Sequence, residues 1–81
     1  MSNDKKIELL REVAAETGGR YHGDYSGRGM FGETCASINC DDANEVIAAA
    51  GAAGIRGART DSMGRGSVVY WPSIKTTVEV K

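Results

Sequence analysis

The chain reads as an α+β protein: a duplicated αββ unit (αββαββ) forming a four-stranded antiparallel sheet with both helices on one face. Two amphipathic helical stretches, a strand pair after each, and a match of the chain to itself at an offset of 37 residues predict this class. With 81 residues there is room for a single domain spanning 1–81, divided into internal repeats 4–40 and 41–77.

The first helix is expected from about Asp4 to Thr17. Asn3 or Asp4 can cap its start, and Gly18-Gly19 stops it. Ile7, Leu9, Leu10, Val13 and Ala14 fall on one broad arc, opposite Lys5, Glu8, Arg11 and Glu12. The second helix is expected from about Asp42 to Ala53, capped by Asp41 or Asp42, and Asp42 with Glu45 has capping-box spacing. Ala43, Val46, Ile47, Ala50 and Ala53 make its apolar face, while Ala48, Ala49 and Ala52 leave the outer side bland.

A hairpin is expected after each helix. In the first, Arg20–Gly23 leads into a turn at Asp24-Tyr25-Ser26-Gly27, and 28–40 returns with irregularity near Gly29 and Gly32. In the second, Ile55–Thr60 leads into a turn at Asp61-Ser62-Met63-Gly64, and Arg65–Trp71 returns. Asp24 and Asp61 would cap the turns, with Gly27 and Gly64 supplying positive φ. Pro72 would end the ladder or mark an edge. Ile74, Thr76, Val78 and Val80 alternate as a short fifth strand or an ordered tail.

The self-match has seven identities over the 26 positions from Asp4 to Gly29, where composition alone would give about two. Caps, helix cores and turns coincide without a gap. Tyr21, Tyr25, Met30, Phe31, Tyr70 and Trp71 are all hairpin residues and cannot all face the helices, so an uncovered, partly apolar sheet face is expected. A chain this small buries a modest core, which makes a homodimer a reasonable expectation.

Ten basic and eleven acidic residues give a net charge of −1, which argues against a general polyanion binder. No apolar run has the length of a membrane span, and the N-terminus does not read as a signal peptide; a soluble, cytoplasmic protein is expected. Cys35 and Cys40 lie five apart on one strand, so they point to opposite faces and read as small buried thiols, not a disulfide or chelate. His22 is the sole histidine, which leaves no metal-ligand set; no metal or cofactor is expected. A Cys35–His22 nucleophile pair would require their strands to be neighbours, and a half-exposed strand histidine is the simpler account. No catalytic set emerges, and an enzyme is not expected.

The Gly-Arg-Gly segments carry the strongest hint of binding. A turn needs its glycine but not the arginine and second glycine that follow. Arg28 and Arg65, with Arg56, Arg59 and Arg20, could line a symmetric anion-binding cleft; Gly29 and Gly66 would leave room for a ligand, and Tyr25, Met30 and Phe31 would wall it. A solvated tip repeated by duplication is the competing account. The stretch Tyr25-Ser-Gly-Arg-Gly-Met-Phe-Gly32, followed by Cys35, resembles a segment of small uncharacterised phage and mobile-element proteins. The resemblance covers about a dozen residues and implies an accessory protein that blocks a host defence protein in the host cytoplasm. The leading expectation is therefore a small non-enzymatic binding protein with a host protein as partner. A sequesterer of a nucleotide or cyclic nucleotide comes second and a nucleic-acid module third.

Overall fold

A computed structural model of the chain describes residues 2–26 and 32–76. Their order is α1 (Asn3–Thr17), β1 (Arg20–Tyr25), β2 (Cys35–Cys40), α2 (Ala43–Ala52), β3 (Arg59–Met63) and β4 (Gly66–Lys75). The four strands form one antiparallel sheet in the order β1-β2-β4-β3, with both helices packed on it. The α+β class and the four-stranded antiparallel sheet are as expected. Each helix is followed by an edge strand and then a central strand.

Local chemistry accounts for the helix ends. Ser2, not Asn3 or Asp4, caps α1, accepting from the Lys5 amide at 3.2 Å. Asp42 caps α2, accepting from the Glu45 amide at 3.3 Å. Gly18 closes α1 in the left-handed region at φ 72°, with its amide on the Ala14 carbonyl. Gly19 is needed for a different reason. A Cβ there would stand 2.8 Å from both the Asn39 carbonyl oxygen and the Ile38 Cγ2, so the chain leaving α1 presses directly on β2.

Leu10, Val13 and Ala14 of α1 and Val46 and Ala50 of α2 meet Ala36, Ile38, Val69 and Trp71 of the central strands, with Ile55 and Ile74 closing the layer. Tyr21 packs at its margin beneath Arg11, whose guanidinium carbon lies 4.7 Å from the ring centroid. The Trp71 indole is wholly buried, and its Nε1 has no hydrogen-bond partner among the described residues.

Three expectations about the strands are corrected. Asp24 and Tyr25 lie in β1, not in a turn, because an extra residue is absorbed between His22 and Tyr25, which face Ser37 and Cys35 respectively. Asp61 also lies within a strand. Met63 pairs with Gly66, so Gly64 and Arg65 alone make the β3–β4 turn. Gly64 has φ 59° and Arg65 does not have positive φ, the pattern of a type II′ turn, whose twist suits a tight hairpin. Pro72 does not end the ladder either. β4 continues to Lys75, and Pro72 sits in an irregularity between Trp71, opposite Ala36, and Lys75, opposite Cys35. Gly27, Arg28, Gly29, Met30 and Phe31, and the tail positions Val78 and Val80, lie outside the described residues.

Candidate functional site

The sheet face turned away from the helices carries two transverse rows, read from the cross-strand register. One is His22, Ser37, Tyr70 and Arg59; the other is Arg20, Asn39, Val68 and Asp61. This face was expected to be bare, but Cys35 and Val68 are 0% exposed, Ser37 1% and Tyr70 9%.

Tyr25 accounts for much of that closure. It sits on edge strand β1 opposite Cys35, yet its ring stacks on Tyr70 of β4, with centroids 4.6 Å apart and planes at 27°. Its hydroxyl donates to the Asp61 Oδ2 on the far edge strand at 2.8 Å. The side chain therefore crosses β2 from one side of the sheet toward the other. A contact between opposite edges requires the sheet to curl over this face, and the irregularities in β1 and β4 add the needed twist. Burial, then the bond and charge of Asp61, push the Tyr25 phenol up to about 12. The other Asp61 oxygen accepts from the Ser62 amide at 2.8 Å, which fixes the carboxylate.

Hydroxyls hold the β1 end of the face. Ser37 donates to the His22 carbonyl at 2.9 Å. Thr76 donates to the Gly23 carbonyl and thus accepts from Thr34 at 2.8 Å. Beside Tyr25 lies a concavity of about 370 Å³ lined by His22, Asp24, Tyr25, Ser26, Ser37 and Asn39. A second, of about 240 Å³, opens at the other end of β1, and Asn39 lines both.

Of the arginines expected to line a cleft, Arg28 lies outside the described residues. The β1–β2 connection leaves Tyr25 and re-enters at Cys35, whereas the β3–β4 turn lies beyond Gly66, next to Ser67, which pairs with Cys40. Cys35 and Cys40 end a strand about 17 Å long, so Tyr25 and the turn holding Arg65 lie at opposite ends of the sheet. Arg59 stands in the row of Tyr70, and Arg56 is an exposed residue of the α2–β3 connection. Gly66 begins β4 and lines the smaller concavity.

The thiols are free and on opposite faces, as expected. Burial raises the Cys35 thiol, and His22 stands opposite Ser37, not Cys35. Burial, then the charges of Asp42, Asp41 and Glu45, raises Cys40. Neither thiol is activated as a nucleophile. Among the described residues, no group of three His, Cys, Asp or Glu side chains is arranged to hold a metal ion, and no helix is long and apolar enough to cross a membrane.

Asn39 and Asp41 were missed in the sequence. The available signal was the polar alternation Ser37, Asn39 in an otherwise apolar central strand, which marks the face turned away from the helices. No protein-family model, curated protein or solved structure matches the chain.

Proposed function

We propose that the chain is a non-enzymatic binding protein that seats against another protein through the sheet face turned away from its helices. The observation that carries this reading is the anchoring of Tyr25, stacked on Tyr70 and tied to Asp61. An aromatic side chain already fixed before association presents area and loses little rotamer freedom on binding, the behaviour of an interface anchor. His22, Asp24, Ser26 and Asn39 around the adjoining concavity supply donors and acceptors for a polar rim.

The resemblance at Tyr25–Gly32 to small phage and mobile-element proteins supports an accessory role, in which the chain occludes the surface of a host defence protein. For a nucleic acid, Asp24 and Asp61 set negative charge among Arg20, Arg59 and His22, which opposes a phosphate backbone.

The test is comparative capture from host lysate with the wild-type chain and with a His22→Ala/Asp24→Ala double variant, both exposed positions. One dominant protein retained by the wild type and lost by the variant supports the reading. Capture indifferent to the variant, or a nucleotide retained in native mass spectrometry without a protein partner, contradicts it.

A further inference from the structure

The smaller concavity lies where the start of β1, the end of β2, the start of β4 and the C-terminus of α1 meet. Its volume of about 240 Å³ equals the liquid share of about eight waters, so it suits a ligand of six to eight heavy atoms on the order of that estimate. Two side chains of opposite charge, Arg20 and Asp41, line it, and among the described residues neither forms an ion pair. Asn39 and Ser67 add groups that both donate and accept, while Gly18 and Gly66 bring backbone to the wall without side chains.

We infer that this cavity binds a small zwitterion of the α-amino-acid class, with its carboxylate on Arg20 and its ammonium on Asp41. The charges select both ends at once. A simple anion would meet the Asp41 carboxylate, with Asp42 and Glu45 adding negative charge near the lining Cys40. A simple cation would meet the Arg20 guanidinium and leave it without a counter-charge. A ligand carrying both charges on adjacent carbons satisfies the pair. The α1 terminus adds to this independently. Gly18 caps the negative end of that helix, whose last turn holds no basic residue, so an ammonium there is favoured. The guanidinium fork meets the planar carboxylate, and Ser67 and Asn39 can bond a short polar side chain. This site adjoins the Tyr25 surface and shares Asn39 with it, but its charge pair lies at the other end of β1 and does not depend on a protein docking at Tyr25.

The experiment is a titration of the full chain followed by ¹H–¹⁵N correlation spectra, with L-serine, 3-hydroxypropionate and ethanolamine as separate probes. The last two are L-serine without its amino group and without its carboxylate. L-serine is expected to shift the Gly18, Asn39, Asp41 and Gly66 amides saturably, and the other two are not. Arg20→Gln and Asp41→Asn, both at exposed positions, are expected to weaken L-serine binding about tenfold each, the loss of one charge-assisted bond, with a folded spectrum retained. No saturable shift with L-serine overturns the inference. So does an equal response to either monofunctional probe, or variants that bind as the wild type does.

Discussion

Replacing Tyr25 separates two contributions that the structure assigns to one side chain. Tyr25→Phe keeps the ring on Tyr70 and removes only the hydroxyl bond to Asp61. That bond is at the surface, so the released carboxylate recovers water, and the expected loss is about 1 kcal/mol. Tyr25→Ala also removes the stacked pair, worth about 1 kcal/mol beyond area, and opens Cys35, Ser37 and Tyr70 to solvent. Its expected total is about 3 kcal/mol, toward the low end for deleting an aromatic side chain because Tyr25 is only half-buried. In a domain of this size each kcal/mol lowers Tm by roughly 4–8 °C. Calorimetry should therefore show a small step for Tyr25→Phe and a drop about three times larger for Tyr25→Ala. A second readout is labelling of Cys35 by a thiol reagent, negligible in the wild type and rapid in Tyr25→Ala. If Tyr25→Ala melts within about 3 °C of the wild type and Cys35 stays protected, Tyr25 does not close the sheet face.

Other consequences follow from the same geometry. The Tyr25 phenol is raised from 10.0 to about 12 in the folded chain, so the unfolded chain loses that proton first. Its contribution to stability is intact below pH 10, and urea midpoints should fall as pH rises through the folded value; Asp61→Asn should flatten that fall. Gly19→Ala forces a Cβ against backbone and should cost about 2 kcal/mol, whereas Gly18→Ala meets open space and loses only about 1 kcal/mol for its positive φ; equal losses in denaturant melts would refute the close approach. Trp71→Phe removes a buried donor that has no partner among the described residues, which offsets part of the void it leaves. Its expected cost is within about 1 kcal/mol of zero, and a loss above about 3 kcal/mol would show that the indole nitrogen is satisfied.

What could be read from residues alone was what depends on near neighbours. The Asp42–Glu45 spacing located a cap, Gly18-Gly19 a stop, and the periodicity of Leu10, Val13 and Ala14 a buried stripe. The turns were misplaced because Asp-x-x-Gly fits a type I turn equally well. Gly64 instead takes the first central position of a tighter one, which keeps Asp61 in the ladder. The reach of Tyr25 to Asp61 has no local signature, since it depends on how far two irregular strands curl the sheet. That Arg20 and Asp41 line one concavity depends on strand register, which residue spacing does not disclose.

The central claim is that one edge-strand tyrosine spans the sheet and anchors on the opposite edge. Nuclear Overhauser contacts in the free protein test it without mutation. The account predicts cross-peaks from the Tyr25 ring to the Tyr70 ring and from its hydroxyl-side protons to the Asp61 Hβ atoms. A Tyr25 ring whose contacts stop at β2 would contradict it.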